Sequence, residues 1–135
     1  MRHIHIVCLF AALFVAACGK NAQKEVEKLH KETLAIHDDA MILIAQMKRM
    51  GRSLKQELSA QDSLSSERRQ KLLEALSQME AADEDMMNWM RDFSMPHGMK
   101  HEAALRYLNE QKTLIQKNHA DISAAIESAK QLVNQ

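Results

Sequence analysis

The sequence predicts an all-α protein, an up-down-up antiparallel three-helix bundle with coiled-coil-like packing. Three observations carry that expectation. Among 135 residues there are 3 Gly and 1 Pro, too few for the many turns that an all-β sandwich or barrel consumes. Apolar residues recur at alternating steps of three and four along three long segments, the mark of a heptad seam. Two short breaks, at 59–66 and 94–99, separate those segments, and short connections make consecutive helices antiparallel neighbours. The length fits one domain.

The N-terminus reads as an address. Arg2 precedes a run from Ile4 to Val15 that is apolar except for His5. That run is too short to span a bilayer comfortably. Ala16 and Ala17 follow, which completes the layout of a secretory signal peptide over residues 1–17. Val15-Ala16-Ala17-Cys18 resembles a bacterial lipobox. The resemblance implies a diacylglycerol thioether on Cys18, cleavage before it, and acylation of the new amine with a palmitate-like chain. Two or three acyl chains, at about 0.8 kcal/mol per buried CH₂, make a permanent membrane anchor. Cys8 would leave with the signal peptide, so no free thiol would remain. Residue 19 is Gly rather than Asp. By resemblance to the sorting rule of enteric lipoproteins, that favours the outer membrane, with the domain facing the periplasm. Residues 18–25 then form the acylated cysteine and a polar tether, and 26–135 the bundle.

The first helix is expected over about 26–58. Val26, Leu29, Thr33, Ile36, Ala40, Leu43, Met47, Met50 and Leu54 form its seam. His30, His37, Ile44, Gly51 and Leu58 widen the stripe enough to meet two partner helices. Gly51 costs about 1 kcal/mol inside a helix, for which close helix approach is the expected compensation. Ser59 to Ser66 is rich in capping residues and reads as a loop. The second helix, about 66–93, carries Leu72, Leu76, Met79, Asp83, Met86, Met90 and Phe93. Ser94-Met95-Pro96-His97-Gly98-Met99 holds the lone Pro and breaks the pattern. The third helix, about 100–133, is centred on Leu108, Ile115, Ile122 and Ala129.

Charge is balanced, with 18 Lys+Arg against 18 Asp+Glu. A nucleic-acid binder needs a basic surplus, so that class of partner is not expected. No Ser/His/Asp or Cys/His set, Gly-rich phosphate loop or HExxH motif occurs. The expectation is therefore no enzyme, with no catalytic residues.

Three features stand apart from plain packing. Asp83 lies within the apolar face of the second helix, and a buried carboxylate needs a partner. Counting back from the loops puts it near Met41, one turn from His37, or near Gln111, a turn from Tyr107. A hydrogen bond to His37 or Tyr107 would fix helix register, so Asp83 and His37 are expected as buried polar residues; a functional polar pocket and a surface-leaning Asp on a wider face are the other readings. The second feature is methionine, with 10 in the chain. Met95, His97, Met99 and His101 alternate through the second turn, and thioether with imidazole suits Cu(I). Core filling by a flexible apolar side chain is the other reading of the methionines. The third is Met86-Met87-Asn88-Trp89-Met90-Arg91-Asp92-Phe93. Its apolar residues Met86, Met87, Trp89, Met90 and Phe93 span about 160° of the helix, wider than one neighbour needs. Packing against both other helices is one reading of that width; a contact surface for a protein partner or a lipid headgroup is the other.

The strings Leu34-Ala35-Ile36-His37-Asp38-Asp39-Ala40-Met41, Asp85 to Phe93, and Tyr107-Leu108-Asn109-Glu110-Gln111-Lys112 resemble a set of small bacterial lipoproteins of uncharacterised function. Some of these carry the label "viral A-type inclusion protein". The resemblance implies a helical lipoprotein and carries over no catalytic or binding residues. The functional expectation is a non-enzymatic, lipid-anchored cell-envelope protein. It would act through protein contacts or as a structural element, with no cofactor beyond the lipid on Cys18. A soft-metal module binding Cu(I) at the Met/His turn is the alternative.

Overall fold

A computed structural model describes residues 2–60 and 64–133, with side chains described from Asn21 onward. Three helices make up the fold: α1 (Arg2–Ala60), α2 (Ser66–Asp92) and α3 (His101–Val133). All three pack on one another, and the described residues contain no strand. The architecture is an all-α three-helix bundle, as the spacing predicts.

Cross-helix pairs fix the register. Glu25 meets His101, Glu32 meets Lys112, and Asp39 meets His119, so α1 and α3 run parallel. Lys48 meets Asp83 while Glu57 meets Arg68, so α2 runs antiparallel to α1. The central line of α3, Leu108, Ile115, Ile122 and Ala129, is fully buried. On α1 the deepest residues are Thr33, Ala40, Ile44, Met47 and Leu54. The Thr33 hydroxyl donates to the Leu29 carbonyl at 2.8 Å, which satisfies a polar group within the seam.

Local chemistry sets the helix ends. Ser65 caps α2 by accepting from the Arg68 amide at 3.1 Å, satisfying one of the orphan donors of the first turn. Phe93 leaves α2 in extended conformation, its amide donating to the Trp89 carbonyl. The chain then turns at Gly98, whose φ of 75° lies in the left-handed region that favours glycine. The Ser94 amide donates to the Tyr107 hydroxyl at 3.0 Å, tying this turn to α3.

Two expectations about the helices require correction. Residues 18–25, expected as a polar tether ahead of the first helix, are themselves helical, because α1 runs through them from Arg2. Lys20, Ala22, Gln23, Lys24 and Glu25 are good helix formers, and Gly19 alone does not stop a helix already propagating from both sides. The second correction concerns the inward face of α2. Its buried line is Leu72, Ala75, Met79, Ala82, Met86 and Trp89. Leu76, Asp83, Met90 and Phe93, expected on the seam, are half-buried at its edge. Ala75 and Ala82 let the neighbouring helices approach closely. Asp83 avoids the desolvation that its neighbour Ala82 accepts without cost.

Candidate functional site

The side chains with the most distinctive chemistry gather at the end of the bundle where α2 terminates. Trp89 of α2 and Phe93, the residue that caps its end, stack with ring centroids 4.6 Å apart. His37 of α1 stacks against Trp89 at 5.6 Å, and His30, two turns earlier, stacks against Phe93 at 5.8 Å. Tyr107 of α3 stands 6.4 Å from Phe93. One aromatic cluster thus joins all three helices, in the offset and stacked geometries such rings favour. Trp89 is 7% exposed, and its buried Nε1 has no acceptor among the described residues. An unpaired buried donor is costly and marks this ring as held by its stacking partners.

This arrangement follows the packing reading of the wide apolar face. Met86 is fully buried and Trp89 belongs to the core, while Met90 and Phe93 pack partly against it. Of the five residues, only Met87 points outward, at 54% exposure. The wide apolar face is consumed because α2 meets both other helices.

His37 and Asp83 are not brought together. His37 stacks on Trp89, and its Nδ1 lies 3.0 Å from the Asp38 carboxylate. Asp83 instead pairs with Lys48 of α1, Nζ to Oδ1 at 2.9 Å. The Asp83 side chain is 31% exposed and that of His37 20%, so neither is a buried charge. The Tyr107 hydroxyl is engaged by the Ser94 amide instead.

The Asp83–Lys48 pair borders a cleft of about 330 Å³ between α1 and α2. Met47, Gly51, Leu76 and Met79 form its apolar floor, and Arg52, Lys55 and Glu80 lie on its rim. Gly51 sets the depth: a Cβ there would stand 3.3 Å from the Met79 sulfur. The expected close approach at Gly51 is therefore present, made with a methionine side chain. A second cleft, of about 420 Å³, lies between α2 and α3 beside Trp89, Asn88, Gln111 and Asn118.

The Met/His turn lies largely at the surface. His97 and Met99 are exposed, Met95 is half-buried, and His101 Nε2 lies 3.3 Å from the Glu25 carboxylate. Cys18 falls among the residues whose side chains are not described.

Two polar devices escaped the sequence reading. Glu25, Glu32 and Asp39 recur every seven residues on α1 and each meets a basic side chain of α3. The hydrogen bond from Lys112 holds the Glu32 carboxyl below its ordinary value. Their heptad spacing beside the seam was the available signal. At the opposite end, the Arg68 guanidinium donates twice to Glu57, at 2.8 and 3.0 Å, and once to the Leu132 carbonyl at 2.9 Å. This fork links α1, α2 and α3. It lowers the Glu57 pKa and raises that of Arg68, as expected for a bidentate charge-assisted pair.

Compared with protein-family models, curated proteins and solved structures, the chain shows no significant match.

Proposed function

We propose that this protein is a non-enzymatic, lipid-anchored component of a bacterial cell envelope whose helical bundle acts through protein contacts or as a structural element. The observation that carries this reading is Val15-Ala16-Ala17-Cys18 placed directly after a charged residue and an apolar run. That order is what signal-peptide processing and cysteine acylation require. The fold is compatible with it. Glu25 reaches the first turn of α3, so the bundle begins only seven residues beyond Cys18, about 10 Å along a helix. The aromatic end would then stand close to the lipid surface, and the Arg68 end would face away.

Growth with an alkyne analogue of palmitate, followed by purification and fluorophore coupling, tests the anchor. The wild-type chain takes the label and stays with the membrane fraction. Cys18→Ser loses both the label and the faster migration of the processed form. Equal labelling of wild type and Cys18→Ser would refute acylation at this residue. Capture of cross-linked partners from envelope, through the full anchored chain, then tests the contact role.

A further inference from the structure

The cleft between α1 and α2 has an asymmetry that packing does not require. Its α1 wall presents Lys48, Arg52 and Lys55, and its α2 wall presents Glu80 and Asp83. Lys48 closes onto Asp83 at 2.9 Å. One turn along, Arg52 follows Lys48 by four residues and Glu80 precedes Asp83 by three, so the two stand at the same level on antiparallel helices. Yet among the described residues Arg52, Lys55 and Glu80 make no ion pair within 4.0 Å. Opposite charges face each other across a gap instead of meeting.

The floor beneath that gap is apolar and adaptable. Met47 and Met79 supply thioethers, which conform to irregular ligands, and Gly51 lets the Met79 sulfur lie close against α1, where a Cβ would stand 3.3 Å from it. A cleft of about 330 Å³ is at the small end of ligand sites, and sites between the helices of bundles are common. We infer that this cleft binds a short peptide with free ends and an apolar side chain. Its carboxylate would lie against Arg52 and Lys55, its ammonium against Glu80, and its apolar side chain on Met47 and Met79. A guanidinium takes a carboxylate in bidentate fashion, which gives orientation as well as attraction. A zwitterion satisfies both walls at once, whereas a simple anion leaves Glu80 repelling it and a simple cation meets Arg52. The inference is independent of the anchor at Cys18.

Calorimetric titration of the full chain in a non-ionic detergent with leucyl-leucine decides the matter. Three further ligands serve as arms: the N-acetylated dipeptide, its C-terminal amide, and a hexanoyl lysophospholipid with a phosphoethanolamine head. Saturable one-to-one binding of the free dipeptide is expected, with each capped form at least fivefold weaker. Arg52→Glu should weaken the free dipeptide at least tenfold, and the reversal Arg52→Glu/Glu80→Arg should recover most of that loss. Both positions are exposed, so the variants keep the fold, checked by helical circular dichroism. No saturable dipeptide binding overturns the proposal. So does equal binding of the free and capped forms, or failure of the double reversal to recover affinity. Binding of the lysophospholipid alone overturns the peptide assignment and gives the cleft to a lipid head.

Discussion

Replacing Trp89 in two ways separates its packing from its unpaired indole nitrogen. Trp89→Ala removes a ring that is 7% exposed and stacked on both Phe93 and His37. Truncations of this kind cost about 3–5 kcal/mol. That is a large share of the roughly 5–15 kcal/mol that holds an ordinary domain together. Trp89→Phe keeps a ring against Phe93 and loses on the order of 50 Å² of buried area, about 1.2 kcal/mol at roughly 25 cal/mol per Å². It also removes the buried Nε1 that has no acceptor among the described residues, a burden of about 1–3 kcal/mol. The two effects offset, so Trp89→Phe should lie between about 0.2 kcal/mol less stable and about 1.8 kcal/mol more stable than wild type. For a domain of this size each kcal/mol moves Tm by roughly 4 °C. Thermal unfolding followed by circular dichroism at the helical band should therefore show a fall of about 12–20 °C for Trp89→Ala and, for Trp89→Phe, a change between a fall of about 1 °C and a rise of about 7 °C. If Trp89→Phe loses more than half of what Trp89→Ala loses, Nε1 has a partner and the reasoning fails.

Other outcomes follow from the polar ties. Glu57 and Glu32 have folded-state pKa values held below their ordinary 4.5 by hydrogen bonds from Arg68 and Lys112. Their contribution is therefore complete above that value and is lost as pH falls through the depressed folded value. Urea midpoints at pH 7 and pH 3 should differ less in Arg68→Ala/Lys112→Ala than in wild type; an unchanged difference would show that the pairs carry no acid sensitivity. Asp83→Asn should change stability by less than about 1 kcal/mol, because both partners are partly solvated; chemical denaturation showing a loss above about 3 kcal/mol would mean a buried ion pair instead. Asn118 is buried and donates to the Asp85 carbonyl at 3.3 Å. Asn118→Leu should match or exceed wild-type stability, and Asn118→Asp should lose roughly 2–3 kcal/mol or more by placing a charge there, as calorimetric unfolding will report.

Periodicity made α2 and α3 legible almost to the residue, at Ser66–Asp92 and His101–Val133, because capping serines and a Pro-Gly turn punctuate them. The start of α1 was not legible, since Lys20 to Glu25 are polar yet helix-forming, and polarity alone does not separate a tether from a solvated helix. The inward face of α2 was misjudged for a related reason. Scanning for large apolar residues selects Leu76 and Met90 over Ala75 and Ala82, although small residues mark where helices come closest. Asp83 was misplaced along the axis as well. Counting from a loop set it level with Met41, but it meets Lys48, about two turns further along α1, and Lys48 took the carboxylate that His37 was expected to hold. The aromatic cluster was half legible: Trp89 and Phe93 stood out in sequence, but their histidine partners sit 52 and 63 residues away, where no local pattern could join them.

The unbroken path of α1 from Arg2 to Ala60 has a mechanical consequence. Residues 18 to 25 contain no hinge, so whatever grips residue 18 also dictates the azimuth and lean of the whole bundle. A flexible leash would let the domain sweep a hemisphere and sample partners from any side. A stiff post instead fixes the altitude of every face, with the Arg68 end held about 60 Å beyond residue 18. With the anchor proposed at Cys18, such a post would act as a ruler, favouring partners that present themselves at the matching height.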